Sequence, residues 1–139
     1  MNTSFLEGIN WLAVIAAGLA YFALGAVWYT ALSKPWIRYS GVNVNDPNAK
    51  KGVAAIFAGS LVLMTLSAVG IAILANRMDL TACWVSGVKL GAVTGLTLGA
   101  SAISISYLYE KRPLGLHIIN GAYTLIGNII AAVIICCWR

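Results

Sequence analysis

Four long apolar segments dominate the sequence and limit what the chain can fold into. They cover residues 9–32, 52–75, 82–108 and 116–138, and Lys89 is the one charged residue inside them. A helix needs about 20 apolar residues to cross the hydrocarbon of a bilayer. Helices also satisfy their own backbone hydrogen bonds where water is absent, whereas a transmembrane β-barrel requires alternation that these segments lack. The pattern predicts an all-α, polytopic membrane protein with four transmembrane helices in a bundle.

Composition predicts that this bundle is the whole chain. Only 9% of the 139 residues are charged, against about 25% in soluble domains, and 60% are hydrophobic. No region outside the apolar segments exceeds about 20 residues, which is too short for an independent domain. We therefore expect a single four-helix transmembrane domain over residues 1–139, without an appended catalytic or nucleic-acid-binding domain. The bilayer is the expected partner and nucleic acid is not, since lipid headgroups account for the net charge of +5.

Positive charges between the segments predict the orientation. The first and third connecting loops carry six of them, Lys34, Arg38, Lys50, Lys51, Lys111 and Arg112. The opposite side carries Arg77, Lys89 and Arg139. Because Lys and Arg are retained on the cytoplasmic side, loops 33–51 and 109–115 are predicted to be cytoplasmic. We expect a multi-pass protein of the bacterial inner membrane with both termini outside, in the periplasm.

Glycines recur at every fourth position of the third segment. They are Gly87, Gly91, Gly95 and Gly99. Each four-residue step on an α-helix turns by only about 40°, so they form one stripe without side chains. Such stripes let two helix backbones approach each other in lipid. We predict helix-packing surfaces here and at Gly18 and Gly25, with either another helix of the chain or a second copy as partner; self-association is expected.

Polar residues form a seam on the last two segments. Its members are Thr94, Thr97, Ser101 and Ser104 on the third segment and His117, Asn120, Thr124 and Asn128 on the fourth. An amide in hydrocarbon is costly without a partner, so the asparagines must face protein or trapped water. We favour the interpretation that the seam forms interhelical hydrogen bonds. The alternative is a polar, water-lined path that opens to the cytoplasm.

Aromatic residues cluster at the predicted helix ends. They are Trp11, Trp28, Tyr29, Trp36, Tyr107, Tyr109, Trp84 and Trp138. We interpret them as the interfacial belt typical of membrane proteins rather than as a ligand-binding cage. Glu110 is predicted to end the third helix and to pair with Arg112 or Arg38. Lys89 is predicted to reach the outer headgroups along its flexible stem.

No cofactor or metal site is predicted, and an enzyme is not expected. One His and four acidic residues cannot assemble a convincing metal shell, and no nucleophile or phosphate-binding motif is present. Cys83, Cys136 and Cys137 lie at the same predicted face, where the topology permits one disulfide. Their number is odd and helix geometry is restrictive, so we expect free thiols packed as small hydrophobic groups.

The sequence resembles a bacterial family catalogued as domain of unknown function 1761. The residues that carry the resemblance are Asn10, Ala13, Gly25, Trp28, Tyr29, Trp36, Tyr107, Glu110, Arg112, Pro113, Leu114, Ile119, Asn120, Gly121 and Tyr123. The family pattern commonly has Asn before Tyr107 and His after Tyr123, whereas this chain has Ser106 and Thr124. The resemblance implies a small four-helix membrane protein and no particular activity.

Two functional hypotheses follow. The first is a self-associating, channel- or transporter-like element for a small solute or ion, based on the polar seam. The alternative is an accessory or structural protein that binds a membrane partner or lipid through its helix faces and transports nothing. The sequence names no substrate.

Overall fold

A computed structural model describes residues 3–139, and every regular element in that range is helical. The elements are a 3₁₀ turn (Ser4–Leu6), α1 (Trp11–Ala31), α2 (Ser33–Ser40), α3 (Val53–Arg77), α4 (Cys83–Val93), a π-helical segment (Thr94–Ala100), α5 (Ser101–Tyr109) and α6 (Leu114–Cys137). Within residues 3–139, four helices are long and apolar enough to cross a membrane: α1, α3, the continuous helix Cys83–Tyr109, and α6. They alternate in direction. We call the end that holds α2 and residues 41–52 and 110–113 the basic end, and the end that holds residues 3–10 and Arg139 the terminal end.

Pro35 ends the first span, and a second, short helix follows where the sequence predicted a loop. Pro35 has no N–H to donate to the carbonyl of Ala31 and its ring clashes with that carbonyl, so α1 ends there. The chain then turns into α2, where Pro35 occupies the first turn, a position that tolerates it. Gly41, with φ of +71°, ends α2 in the left-handed conformation. The prediction of a loop over residues 33–51 is therefore wrong for Ser33–Ser40.

The helix α6 lies at the centre of the bundle. It carries twelve buried residues, whereas α3 carries four. The core around it is built mainly of small side chains, namely Val14, Ala17, Ala68, Ala72, Ala131 and Ala132. Because lipid provides no hydrophobic drive for helices to associate, close backbone packing through small residues is the main source of attraction here.

The glycine stripe lies against α6 of the same chain. A Cβ added at Gly87 would lie 2.5 Å from the Cα of Val133, closer than non-bonded carbons approach. The same holds for Gly91 against Ile129, Gly95 against Leu125 and Gly99 against Thr124. Only glycine fits at such a distance, so the stripe sets the spacing of the third span and α6.

The third span departs from the regular helix predicted over residues 82–108. Residues Thr94–Ala100 are π-helical, and the Ser101 hydroxyl donates to the carbonyl of Leu96, five residues earlier, at 2.9 Å. A wider turn reduces the drift of about 40° that a four-residue repeat has on an α-helix. The π segment thereby keeps Gly95 and Gly99 facing α6.

Hydrogen bonds at the terminal end hold three helices together. Asn10 accepts from two N–H groups in the first turn of α1 and donates to the carbonyl of Trp138 at 3.0 Å. Arg139 donates to the carbonyls of Leu80 and Ala75 at 2.7 and 3.0 Å. These carbonyls lie at or just beyond the last turn of α3, where a cation is a favourable partner.

The terminal end also contains a disulfide, which corrects the expectation of free thiols. Cys83 at the start of α4 is bonded to Cys137 at the end of α6, and Cys136 is buried as a free thiol. The sequence did not reveal how closely the third span approaches α6. Glycine-mediated packing brings the two helix ends within bonding reach.

Candidate functional site

A cleft opens between α1 and α3 toward the basic end. About midway along the bundle the two helices touch, since a Cβ added at Gly18 would lie 3.0 Å from the Cα of Thr65. Beyond this contact a space of about 720 Å³ forms. Its lining consists of Phe22, Gly25, Ala26, Tyr29, Thr30, Ser33, Trp36, Ile37, Val44, Ile56, Phe57, Ser60, Met64, Asn120 and Tyr123. The cleft is therefore formed by α1, α2 and α3, with α6 as its floor.

An amide–tyrosine group lies at the floor of the cleft. The Tyr29 hydroxyl donates to Oδ1 of Asn120 at 2.7 Å, and Nδ2 of Asn120 donates to the Tyr107 oxygen at 2.7 Å. The ring of Tyr107 packs edge-on against His117, with ring centres 5.4 Å apart. The prediction of an interfacial belt was therefore incomplete for Tyr29 and Tyr107, because both side chains form hydrogen bonds with Asn120 inside the bundle.

Tyr123 is the second polar group at the floor. Its hydroxyl donates to the carbonyl of Tyr21 at 3.3 Å and lies 3.7 Å from the sulfur of Met64. Its ring centre lies 5.1 Å from that of Tyr29 and 5.4 Å from that of Tyr21. A Cβ added at Gly25 would lie 2.9 Å from the Tyr123 hydroxyl oxygen, so this glycine makes room for the tyrosine.

The short helix α2 closes the cleft at the basic end. The Trp36 ring packs edge-on against Tyr29, with centres 5.9 Å apart. Arg112 donates to the carbonyl of Ser40 at 3.0 Å. It also forms an ion pair with Glu110 at 3.0 Å, which is one of the two pairings predicted for Glu110 from the sequence. These contacts fasten α2 to the turn before α6.

The structure separates the two halves of the predicted polar seam. Asn120, Thr124 and Asn128 are buried on α6, His117 is half-buried, and Nδ2 of Asn128 donates to the carbonyl of Thr124 at 2.8 Å and to Tyr21 at 3.4 Å. On the third span only Thr94 is buried; Ser104 is half-exposed, and Thr97 and Ser101 are exposed. Thr94, Thr97 and Ser101 donate to carbonyls of their own helix. Glycines, rather than these hydroxyls, face the α6 residues.

The polar groups of the interior are satisfied within the protein. Among residues 3–139, every buried side-chain nitrogen or oxygen has a hydrogen-bond partner. In the same range, no three His, Cys, Asp or Glu side chains come together as metal ligands would. What the cleft offers chemically is an apolar space with hydroxyl and amide groups at its floor.

The resemblance noted in the sequence is supported by direct comparison. A family described as a protein of unknown function, DUF1761, matches residues 12–136. The chain belongs to this family. No curated protein and no solved structure matches the chain.

Five of the residues that carry the resemblance to DUF1761 line the cleft, namely Gly25, Tyr29, Trp36, Asn120 and Tyr123. Behind it, Trp28 donates to the carbonyl of Ile119, another of these residues, at 3.1 Å. Others have structural contacts away from the cleft: Asn10 caps α1, and Arg112, paired with Glu110, holds α2. The Thr124 hydroxyl, which follows Tyr123, donates to the carbonyl of Asn120 at 2.9 Å.

Sequence reasoning missed the far wall of the cleft and the helix that closes it. Ile56, Phe57, Ser60 and Met64 of α3 had no distinguishing pattern, because in an apolar segment a cleft wall and a lipid-facing surface look alike. The helix α2 did have a signal. Trp36 and Ile37 stand between Lys34 and Arg38, and on a helix the two cations share one side while Trp36 lies on the opposite side, as in an amphipathic interfacial helix.

Proposed function

We propose that this DUF1761 protein is an accessory membrane protein, not an enzyme, that binds one lipid or similar amphiphile in the cleft between α1 and α3. The observation that carries the proposal is an apolar space of about 720 Å³ with a polar floor. Ligand sites in proteins commonly measure about 300–1,000 Å³, are largely apolar and hold a few well-placed polar groups.

The length of the cleft supports a lipid as its occupant. On α1 the lining residues run from Phe22 to Thr30, which is about 12 Å at 1.5 Å per residue. One leaflet of hydrocarbon is about 15 Å thick, half of the 30 Å core. A cleft that begins at the basic end and has this length matches a single leaflet.

The order of residues along the cleft supports an amphiphile. Phe22 and Ala26 are apolar, whereas Thr30 and Ser33, nearer the basic end, carry hydroxyls. The apolar chain of a lipid would lie against the first pair and its headgroup region beside the second. This arrangement keeps each part of the molecule in the surroundings that it has in the bilayer.

A bulky side chain in the cleft tests the proposal. Ser60 of α3 lines the cleft, and Ala58 lies on the opposite side of the same helix and is exposed. With a photoactivatable phosphatidylcholine in lipid nanodiscs, Ser60→Phe should lower cross-linking to the cleft at least about tenfold, corresponding to 1.4 kcal/mol. Ala58→Phe should leave it unchanged.

Two results contradict the proposal. One is a wild-type protein whose cross-links fall on all lipid-facing surfaces, without enrichment at the cleft. The other is an equal effect of Ser60→Phe and Ala58→Phe, which would mean that lipid contacts the outside of α3 alone.

We further propose that the protein self-associates in the bacterial inner membrane, with its basic end in the cytoplasm. The surface of α3 supports self-association, since a Cβ added at Gly59 or Gly70 would have no atom within 4 Å and a second helix has room to approach. Cross-linking in native membranes should yield oligomers of the chain. Recovery of monomer alone would contradict this part of the proposal.

A channel- or transporter-like element for a small solute or ion is the second candidate. The row of buried amides and hydroxyls at Asn120, Thr124 and Asn128 favours it, because polar groups inside a membrane bundle commonly mark a path. If it is correct, reconstituted liposomes should show a solute or ion flux that falls in Asn128→Leu. Impermeable liposomes, or a flux unaltered in that variant, would contradict it.

A further inference from the structure

We infer that the cleft selects a lipid with a small, uncharged, hydroxyl-bearing head, such as a diacylglycerol, over phospholipids. The inference rests on the proposed function, because it names the class of lipid that the same cleft binds. Three features carry it: the lining has no charged side chain, apolar side chains cover the cleft at the basic end, and two residues of the lining match a hydroxyl group.

The lining of the cleft is uncharged throughout. None of the fifteen residues that form it is Asp, Glu, Lys, Arg or His. The two basic residues of α2, Lys34 and Arg38, share one side of that helix, whereas Trp36, which lines the cleft, lies on the opposite side. A phosphate or carboxylate inside the cleft would therefore be buried without a cation, which is costly, whereas a hydroxyl group needs only hydrogen bonds.

Apolar side chains cover the cleft at the basic end. Trp36 and Ile37 of α2 and Val44 of the loop that follows belong to the lining. The helix α2 is packed firmly on the start of α6, since a Cβ added at Gly115 would overlap the ring of Tyr39. This cover lies between the cleft and the water beyond α2, so the head of an occupant remains among the uncharged lining residues and has to be small.

Thr30 and Ser33 offer the hydrogen bonds that a hydroxyl group needs. Both residues line the cleft where α1 joins α2. The Thr30 hydroxyl donates to the carbonyl of Ala26 at 2.6 Å, so its oxygen is left as an acceptor. The Ser33 hydroxyl makes no hydrogen bond with residues 3–139 and can donate. One acceptor and one donor match a hydroxyl group, which both donates and accepts, whereas an ionised phosphate or carboxylate only accepts.

Photoactivatable lipids with the same acyl chains test the inference in nanodiscs. With equal amounts of diacylglycerol and phosphatidylcholine, the wild-type cleft should cross-link the diacylglycerol at least about tenfold more. Phosphatidic acid, which has a phosphate in place of the hydroxyl, should be disfavoured in the same way. Thr30→Val with Ser33→Ala should lower the preference for diacylglycerol about fivefold, because one hydrogen bond is worth a factor of about two to ten.

A matched control lies on the third span, outside the cleft. Thr97 is exposed and donates to a carbonyl of its own helix, as Thr30 does, and Ser86 is half-buried, as Ser33 is. Thr97→Val with Ser86→Ala should change the preference by less than about twofold.

The outcomes separate this inference from the proposed function. Equal cross-linking of the three lipids in the wild-type cleft would overturn the inference and leave lipid binding intact. A preference unchanged in the Thr30/Ser33 variant, or lowered equally in the control variant, would also overturn it. Absence of every lipid from the wild-type cleft would overturn both. Phosphatidylcholine cross-linked at the wild-type level in the Thr30/Ser33 variant shows that its cleft is still folded.

Discussion

At the scale of the residue, Asn120 shows how one buried amide organises several helices. Its oxygen accepts from Tyr29 of α1 and its nitrogen donates to Tyr107 of α5. A buried amide in a membrane bundle is costly unless both of its ends are paired. The two bonds therefore make Asn120 favourable only when α1 and α5 both lie in place, which explains why the floor of the cleft is well defined.

Replacement of Asn120 is expected to destabilise the fold. Asn120→Leu leaves two tyrosine hydroxyls without their partner, which should lower the free energy of unfolding by about 1–3 kcal/mol. Circular dichroism during denaturation in mixed micelles measures it. Thr97→Val is the control, because Thr97 is exposed and bonds its own helix at Val93, and it should change stability by less than about 0.5 kcal/mol. Equal effects of the two variants would contradict the role given to Asn120.

At the scale of the element, the third span shows how helix geometry and packing depend on each other. Four glycines in a four-residue repeat would drift off a contact surface on a straight α-helix. The π segment Thr94–Ala100 widens the turn where the later glycines lie, and all four face α6. The packing of these two helices is therefore specified by the glycines and the π segment together.

A side chain added to the glycine stripe is expected to separate the two helices. At Gly91 an added Cβ would lie 2.6 Å from the carbonyl oxygen of Asn128, so Gly91→Ala should lower the unfolding free energy by about 1–3 kcal/mol. At Gly70 on α3 no atom of the chain lies within 4 Å, so in the monomeric protein, where no second copy contacts α3, Gly70→Ala should raise it by about 0.5–1 kcal/mol through helix propensity. Chemical denaturation of both variants measures whether the two changes in the free energy of unfolding have opposite signs. A Gly91→Ala variant that is more stable than the wild type would contradict the packing of the third span against α6.

At the scale of the whole molecule, the two ends of the bundle differ in how tightly their helices are held together. The terminal end is fastened by the Cys83–Cys137 disulfide, by Asn10 and by Arg139. The basic end holds the cleft, and there α1 and α3 diverge. Because α1 and α3 lie apart there, the cleft can admit a molecule sideways from the bilayer while the core stays packed.

The disulfide leads to a prediction about both topology and stability. Disulfides persist in oxidising compartments, so the terminal end should lie outside the cytoplasm, in agreement with the orientation predicted from Lys and Arg. Alkylation of the denatured protein from native membranes should label one thiol, Cys136, before reduction and three after it. A separation of 54 residues gives about 4 kcal/mol in the chain-entropy model, which Cys83→Ser should remove.

The control for this prediction is Cys136→Ser, which should abolish labelling before reduction and keep the disulfide. Three labelled thiols in the untreated wild-type protein would contradict the oxidised state, and with it this argument for the orientation.

The sequence by itself determined the four spans, because a helix that crosses the hydrocarbon must be long and apolar, and each apolar segment has this length and composition without help from the rest of the chain. It also singled out the glycine stripe and residues such as Asn120 and Tyr29, whose types are unusual in an apolar segment. Their partners, the Cys83–Cys137 bond and the far wall of the cleft were decided by tertiary structure. Apolar side chains look alike in sequence whether they face lipid, core or cleft, and only the packing of helices distant along the chain distinguishes these surroundings.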